Sequence, residues 1–290
     1  MHSYLRAIGF SKYKFRNQLE DLYWKTMFEP DRKINTIIGV NSASVQFEKD
    51  FCPNMGLAII GEYNEGKLSI EHHFPYIKGV KNMVFENISI EKQTDKESYA
   101  GICEDTSLGM SLIFYLQNIA GYAKSKWLNY SNKSFNNVVF SALSIDGVVI
   151  LGMKKDAASK NQETIYKKRR NSLLKAAQKG DMDAIENLTI DEMDLYTMIS
   201  LRIRHEDMFS IVDTSFMPCG VECDHYMIVG NILSVHTEIN SITNEKIYNI
   251  MVEANYILLN IGINSLDLQG EPKVGRRFRG EIWLQGYVKI

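Results

Sequence analysis

The chain has few cysteines, no long apolar run and none of the short motifs that mark common catalytic sites. Its 290 residues contain four cysteines, Cys52, Cys103, Cys219 and Cys223, which do not form the dense pattern of a disulfide-stabilised secreted protein. No segment reaches the roughly 18 consecutive apolar residues that a membrane helix needs. Residues 1–16 carry dispersed basic side chains and lack the apolar core of a signal peptide. We therefore expect a cytoplasmic protein with no membrane association.

Several reaction classes lose support because their motifs are missing. The sequence contains no GxxxxGK[ST] phosphate loop, no GxSxG nucleophile turn and no HExxH zinc motif. The formal net charge is -2, and the isoelectric point is about 6.3. This balance is unlike that of proteins whose main task is to neutralise nucleic-acid phosphates. Nucleic acid is therefore a disfavoured partner, and whether the chain is an enzyme stays uncertain, with a non-enzymatic role preferred.

The C-terminal stretch has the clearest pattern in the chain. Every second residue from Phe278 to Ile290 is apolar or glycine, and the intervening residues are polar or aromatic. A period of two indicates a β-strand with one buried face, because successive side chains point to opposite sides. Gly280 and Gly286 on the apolar face suit a strand that bends tightly. We predict that this strand closes a small antiparallel β-barrel of the OB type or a related type.

The other face of this strand, with its N-terminal approach, is the predicted binding surface. Its candidate ligand- or partner-binding residues are Arg276, Arg277, Arg279, Trp283, Gln285 and Tyr287. Cationic, aromatic and amide side chains on one β surface are how OB-type barrels hold oligonucleotides or flat ligands. The alternative is that Trp283 and Tyr287 pack beneath the helices. The alternative is favoured, because large aromatic side chains are mostly at least partly buried.

The rest of the pattern predicts an α+β protein with three segments. Residues 1–155 read as a mixed α+β domain, 156–208 as a helical-hairpin connector and 209–290 as the barrel. Within the first segment we predict a helix from Ser11 to Phe28 and a hairpin that turns at Asn64-Glu65-Gly66. A second hairpin, 138–153, is predicted to turn at Asp146-Gly147. Residues 107–127 favour a helix, although 111–116 are apolar enough to form a buried strand.

The connector is marked by two blocks of opposite charge. From Lys154 to Lys179 there are nine basic residues and two acidic ones, and from Asp181 to Asp194 there are six acidic residues and no basic one. Gly180 between the blocks is typical of a helix end. Thr189 and Glu192 predict a capping box at the start of a further helix. We expect the two blocks to pair across the turn.

One cluster of metal-ligand residue types lies before a predicted strand. Cys219, Cys223 and His225 give the spacing C-x3-C-x-H, which differs from the usual C-x2-C of zinc sites and needs a fourth ligand. Asp224, His236 or Cys103 could supply it, and the sequence does not favour one of them. We predict no metal and no cofactor, since free cysteines often simply pack in a core. A weaker hypothesis places an enzyme site between the domains on Cys223, Asp224 and His225.

Four long phrases of the sequence suggest a family. They are MHSYLRAIGFS, GICEDTSLGMSLIFYLQN, FMPCGVECDHY and GEPKVGRRFRGEIWLQG. Together they make the whole chain similar to an uncharacterised bacterial family classed as a domain of unknown function. The resemblance implies no activity, cofactor or catalytic residue.

The sequence thus favours a non-enzymatic binding or adaptor protein. Its contact surface is predicted to be the barrel face or the groove between the domains, and its partner a protein or a small-molecule ligand. The first alternative is a nucleic-acid-binding protein that uses the barrel, and the second is an enzyme with an interdomain site.

Overall fold

The computed structural model describes residues 3–37, 42–92, 98–105, 110–127, 135–153, 165–166, 169–170, 172–174, 176–177 and 179–290. The helices are a 3-10 helix (Ser3–Ile8), α1 (Arg16–Phe28), α2 (Ile119–Trp127), α3 (Met182–Arg202) and α4 (Met208–Ile211). The strands of the first half are β1 (Arg32–Ile37), β2 (Ser42–Cys52), β3 (Met55–Asn64), β4 (Lys67–Ile77), β5 (Asn82–Lys92), β6 (Tyr99–Asp105), β7 (Met110–Leu116) and β8 (Phe135–Ile150). Those of the second half are β9 (Ser215–Pro218), β10 (His225–Ile239), β11 (Lys246–Ala254), β12 (Ile257–Asn264), β13 (Leu268–Gln269) and β14 (Arg277–Val288). The predicted α+β class is confirmed.

A four-stranded antiparallel sheet has the order β1-β2-β3-β4. Its β3–β4 hairpin confirms the turn predicted at Asn64-Glu65-Gly66. Glu65 and Gly66 have φ values of 48° and 80°, the left-handed conformation that a tight two-residue turn requires. The sheet and α1 pack against each other through side chains such as Leu22 and Phe47.

The larger sheet is organised around β8 and β14, which pair antiparallel over most of their length. β8 and β14 are also joined through β5, β6 and β7 on one side and through β12, β11 and β10 on the other. These two cycles of pairing make the sheet ring-like. Since β8 belongs to both cycles, the ring is not made of residues 209–290 alone. The predicted C-terminal barrel and the boundaries at 155 and 208 stay predictions.

β14 shows the predicted alternation. Its buried face consists of Phe278, Gly280, Ile282, Leu284, Gly286 and Val288. On the opposite face Arg279, Glu281 and Tyr287 are exposed, but Trp283 and Gln285 are buried. Around Trp283 and Gln285, both faces of β14 are therefore buried.

The hairpin predicted at Asp146-Gly147 is wrong, because β8 runs through both residues as one strand. Gly147 serves a different purpose there. A Cβ atom on Gly147 would lie 2.6 Å from Cε2 of Phe278, so glycine is required by the close approach of that ring. Asp-Gly favours a tight turn locally, and in β8 the packing of Phe278 overrides this preference.

Three helix predictions are also corrected. The helix predicted from Ser11 begins at Arg16, with Phe15 as its N-cap, and ends at Phe28 as predicted. The apolar segment before α2 forms β7, as the strand alternative for 111–116 proposed, and Ser107, the first residue of the predicted helix, lies outside the described residues. The capping box at Thr189 is wrong, because α3 already begins at Met182. Its N-cap is Asp181, whose carboxylate accepts from the backbone amides of Asp183 and Ala184. Thr189 lies inside the helix, and its hydroxyl donates to the carbonyl of Ile185.

The oppositely charged blocks of the connector contact each other as predicted. Arg169 lies 3.4 Å from Asp191, and Arg170 lies 3.2 Å from Glu192, between nitrogen and oxygen atoms. Lys167 and Lys168, the other members of the basic cluster, lie outside the described residues. Within the described part of the chain, none of the helices has the length and apolar character needed to cross a membrane.

The N-terminal segment is held against the C-terminal strands. Asn240 donates from Nδ2 to the carbonyl of Ile8, and Asn264 donates from Nδ2 to the carbonyl of Arg6. The guanidinium of Arg6 pairs with Asp267. These contacts fix the 3-10 helix, so that Tyr4 is buried.

Candidate functional site

A cleft lies where β7 and β10 part from β14. β10 pairs with β14 as far as His225 and Trp283, and two residues later Tyr115 of β7 pairs with Gln285. Tyr226 spans the two diverging strands, because its hydroxyl accepts from the amide of Ile113 and donates to the carbonyl of the same residue. The divergence leaves an opening that backbone pairing does not fill.

The cleft has a volume of about 810 Å³, within the roughly 300–1,000 Å³ range of small-molecule sites. Its described lining residues are Ser3, Tyr4, His72, Ser98, Tyr115, Ile145, Gly220, Val221, Glu222, Cys223, Asp224, His225, Glu281 and Trp283. They come from both of the predicted domains. The lining thus combines residues from the segment 1–155 with residues from the segment 209–290.

A continuous row of aromatic rings forms one wall. The Trp283 ring centroid lies 5.3 Å from that of Tyr4 and 5.0 Å from that of Tyr115. Beyond these, Tyr4 contacts His225 at 5.6 Å, and Tyr115 contacts His72 at 5.9 Å. Such tilted contacts stabilise ring packing. Tyr4, Tyr115 and Trp283 are largely buried, and the cleft reaches the part of each ring that lines it.

Asp224 fixes the orientation of two of these rings. Its Oδ2 accepts from Nε1 of Trp283 at 2.8 Å, and its Oδ1 lies 3.1 Å from Nδ1 of His225. The backbone carbonyl of Asp224 also accepts from the amide of Leu284 at 2.9 Å. The carboxylate is therefore buried without being unsatisfied, as a charged group in a protein interior has to be.

His225 is held between two carboxylates. Its Nδ1 lies 3.1 Å from Asp224 and 3.2 Å from Oε2 of Glu222. Since a carboxylate can only accept, the Nδ1 position carries the proton. Burial alone lowers the pKa of His225, but the hydrogen bond and charge of Asp224, with the charges of Glu222 and Glu281, raise it above its ordinary value. The site thus favours the imidazolium form.

The electrostatic character of the cleft is negative. Among its described lining residues are three carboxylates, Glu222, Asp224 and Glu281, and no lysine or arginine. Burial, followed by the charges of Glu281 and Asp224, raises the pKa of Tyr4. Burial and then Asp224 raise the pKa of Tyr115. The hydroxyls therefore stay protonated, and the same carboxylates favour positive charge in a ligand.

The hydroxyl of Tyr115 is a buried polar group of the wall. It is buried, and within the described residues no hydrogen-bond partner lies in reach of its oxygen. Tyr115 as a residue is 4% exposed and lines the cleft. A buried polar group without a partner costs stability, so such a group at a cleft is a natural contact for a ligand.

Three donors of the cleft could also hold a metal ion. Glu222, Asp224 and His225 have ligand atoms that all lie within 4.8 Å of one another. In the part of the chain that is described, the grouped donors are thus two carboxylates and an imidazole, and the predicted cysteines Cys219 and Cys223 are not in the group. Oxygen-rich donor sets of this kind suit divalent cations other than those that prefer thiolates.

The six predicted binding residues of β14 and its approach are not brought together on one surface. Trp283 lies in the cleft wall. Gln285 is fully buried, accepts from Nε2 of Gln117 and donates to the carbonyl of Pro75. Trp283 packs on Tyr4 and Tyr115, while Tyr196 and Ile203 of the connector are exposed.

The three arginines and Tyr287 have separate environments. Arg277 is buried and donates to the carbonyls of Leu151, Val212 and Asp213. Arg276 is half-buried and donates to the carbonyl of Glu271. Arg279 and Tyr287 are exposed on β14. As a group they do not line the cleft.

A second groove, of about 620 Å³, lies between α1 and the four-stranded sheet. Its apolar lining includes Trp24, Phe28, Leu68 and Ile70, all of which are exposed. The charged groups at its edge are limited to Glu20 and Lys33 within the described lining. The cleft at Trp283 has the convergent polar groups that a specific ligand requires, so it is the stronger candidate.

Sequence reasoning selected Trp283 and considered His225 and Asp224, but it did not find Tyr4 or Tyr115. Tyr4 lies in a 3-10 helix and Tyr115 in an apolar strand, and neither position has a local pattern that sets it apart. Their role depends on pairing between segments more than 100 residues apart. The tyrosines could have been found only through contacts that are remote in sequence.

The comparisons with known proteins define a family without a known activity. The model of the family described as "Domain of unknown function, E. rectale Gene description (DUF3881)" matches residues 5–286. The chain therefore belongs to this family, as the resemblance indicated. No curated protein and no solved structure shows significant similarity to it.

Proposed function

We propose that the protein is a non-enzymatic binding protein whose ligand is a small molecule held in the cleft at Trp283. The observation that carries the proposal is the convergence of Tyr4, Tyr115, Trp283, Asp224 and His225 in a cavity of about 810 Å³. Aromatic walls with a few oriented polar groups are typical of ligand sites. The buried Tyr115 hydroxyl adds a polar contact that the described residues do not use.

The predicted C-terminal barrel enters this proposal as the scaffold of the site. Support comes from the cycle in which β10, β11, β12, β8 and β14 pair in turn. His225 and Trp283 lie where β10 and β14 leave this cycle of pairing. A rigid strand framework of this kind holds binding side chains more accurately than a loop does.

The alternative of nucleic-acid binding has less support. It needs a continuous basic track from Arg276, Arg277 and Arg279 to the connector. The guanidinium of Arg277 donates to backbone carbonyls, and Arg169 and Arg170 are paired with acidic side chains. The weaker enzyme hypothesis retains Asp224 and His225, but the contacts of His225 Nδ1 are with Asp224 and Glu222 and not with Cys223.

The test blocks the cleft chemically. Cys223 is exposed and lines the cleft, whereas Cys52 and Cys103 are buried. In a Cys219→Ser background, a bulky maleimide will therefore react at Cys223. The protein is incubated with the small-molecule extract of its source cell, and retained compounds are identified by mass spectrometry.

The expected result is a compound that the unmodified protein retains and the alkylated protein loses. The matched control is the Cys219→Ser, Cys223→Ser protein treated with the same maleimide, which should retain the compound. Equal retention before and after alkylation would place the ligand elsewhere. Retention of nucleic acid with no small molecule would favour the first alternative.

A further inference from the structure

We infer that the cleft selects a small organic cation, a compound that carries an ammonium group. This inference rests on the proposed function and names the chemical class of its ligand. Two independent features of the cleft support it, the distribution of charge and the arrangement of the rings. A third, the Tyr115 hydroxyl, shows where a polar contact is open.

The first feature is the excess of negative charge. Glu222, Asp224 and Glu281 contribute three carboxylates, and His225 balances one of them when it is protonated. Among the described lining residues no lysine or arginine balances the others. Glu222 lies 3.2 Å from His225 and, like Glu281, is exposed, so a ligand at the mouth of the cleft can reach both carboxylates. Charges at a cleft with low-dielectric walls raise the local concentration of oppositely charged ligands.

The second feature is the aromatic wall. Trp283 and Tyr4 are tilted by 33° with centroids 5.3 Å apart, and Trp283 and Tyr115 are tilted by 57° at 5.0 Å. The faces of such rings carry negative potential and attract ammonium groups within about 6 Å of the centroid. Tryptophan is the strongest partner of this kind. An aromatic wall beside carboxylates therefore favours a cation with an apolar body over an anion or a neutral sugar.

The third feature is the Tyr115 hydroxyl. It is buried, the charge of Asp224 contributes to raising its pKa after burial, and within the described residues it has no hydrogen-bond partner. A protonated hydroxyl can accept from an ammonium N–H or donate to a polar group of the ligand. Together with the wall it defines the inner end of the site, while Glu222 and Glu281 define the outer end.

The test uses ammonium compounds in pairs with uncharged isosteres. Choline is paired with the alcohol in which a tert-butyl group replaces trimethylammonium, and benzylamine and butylamine are paired with benzyl alcohol and butanol. Binding is measured by isothermal titration calorimetry. At least one ammonium compound is expected to bind about tenfold or more tightly than its isostere, since a desolvated cation–aromatic contact with nearby carboxylates contributes that much.

The test variant is the double substitution Glu222→Gln, Glu281→Gln. It keeps the shape of both side chains and removes their negative charge. Both side chains are exposed, so the double variant should fold normally, as circular dichroism and thermal melting can check. In the double variant the roughly tenfold preference for the ammonium compound over its uncharged isostere should be mostly lost. A Glu186→Gln, Glu253→Gln protein, changed at residues outside the cleft lining, should keep the preference.

Other results would overturn the inference. If no ammonium compound binds more tightly than its isostere, the class is wrong. If Mn²⁺ or Zn²⁺ binds at Glu222, Asp224 and His225 while every ammonium compound fails, the cleft is a metal site. If the compound retained from the extract is neutral or anionic and is lost on alkylation of Cys223, the proposed function stands and only the cation inference falls.

Discussion

The indole of Trp283 and the carboxylate of Asp224 hold each other in place at the point where the pairing of β10 with β14 ends. Nε1 of Trp283 donates to Oδ2 of Asp224 at 2.8 Å, and both residues are buried. The pairing makes Trp283 a structural anchor as well as a wall of the cleft. Substitutions of Trp283 are therefore expected to change both the stability of the fold and ligand binding, and each effect needs its own measurement.

Truncation of Trp283 should be strongly destabilising. Trp283→Ala removes a buried indole packed on Tyr4 and Tyr115, and we expect a loss of about 3–5 kcal/mol in the free energy of unfolding. Trp283→Phe keeps a ring and leaves Oδ2 of Asp224 without its donor, which should cost about 1–3 kcal/mol. Urea unfolding measures both changes.

Trp24 provides the control for these variants. It is 55% exposed on α1, so Trp24→Ala should change stability by no more than about 0.5 kcal/mol. If Trp283→Ala lowered the free energy of unfolding as little as Trp24→Ala does, Trp283 would not be a structural anchor of the cleft.

The contribution of His225 to stability should fall as pH rises. Its pKa in the folded protein is raised above the unfolded value, since the hydrogen bond and charge of Asp224 outweigh the effect of burial. The contribution is therefore fully present below the unfolded pKa of about 6.5 and is lost as pH rises through the folded pKa. Melting temperatures of the wild type and of His225→Gln, measured from about pH 5.5 to about pH 9, give the difference.

The difference between these two proteins should be largest at the acidic end of this range and should shrink toward the alkaline end. Asp224→Asn should flatten the wild-type profile in the same way, because it removes the charge that favours imidazolium. A His225→Gln profile parallel to that of the wild type would show that His225 does not titrate with folding.

Sequence reasoning succeeded where the determinants of structure are local. The hairpin predicted at Asn64-Glu65-Gly66 matches β3 and β4, and its turn has Glu65 and Gly66 at φ values of 48° and 80°. The alternation of β14 was equally local, because one buried face is enough to produce it. Only burial on the second face, at Trp283 and Gln285, required knowledge of the neighbouring strands.

The site could not be predicted because its parts meet through strand pairing. Tyr4, Tyr115 and Trp283 come from three distant segments, and the order of strands that joins them mixes both halves of the chain. The Asp146-Gly147 error has a similar origin. A glycine can be required because its backbone has a positive φ or because another side chain lies too close for a Cβ atom. At Gly147 only the position of Phe278 shows that the second reason applies.

The ion pairs of the connector should contribute little to the free energy of unfolding, and they should contribute only at low salt. Arg169→Glu with Arg170→Glu places like charges beside Asp191 and Glu192, and we expect a loss of up to about 1 kcal/mol, because exposed pairs are worth little. The loss should vanish near 1 M salt, where screening acts within about 3 Å. Thermal melting at several ionic strengths measures it.

A charge exchange tests whether the effect is pairwise. Adding Asp191→Arg and Glu192→Arg to the reversed arginines restores opposite charges and should restore the melting temperature at low salt. A protein that melts identically with and without the reversal at every ionic strength would show that these side chains are merely solvated.

Gly147 should tolerate no larger side chain while Phe278 stays in place. Gly147→Ala puts a Cβ atom 2.6 Å from Phe278 and 2.9 Å from Ile263, both fully buried, and we expect overpacking to cost about 1–3 kcal/mol. Gly121→Ala is the matched control. Its Cβ atom would have its nearest neighbour at 3.5 Å, and within α2 alanine is favoured over glycine by roughly 0.5–1 kcal/mol.

A second substitution separates crowding from backbone effects at this position. Phe278→Leu destabilises the core alone, but combined with Gly147→Ala it should cost less than the sum of the two, because the smaller side chain makes room for the new methyl group. Urea unfolding of the two single variants and the double variant gives the coupling. Strict additivity would show that the ring of Phe278 is not the group that crowds a methyl at Gly147, and would leave Ile263 as the neighbour that excludes it.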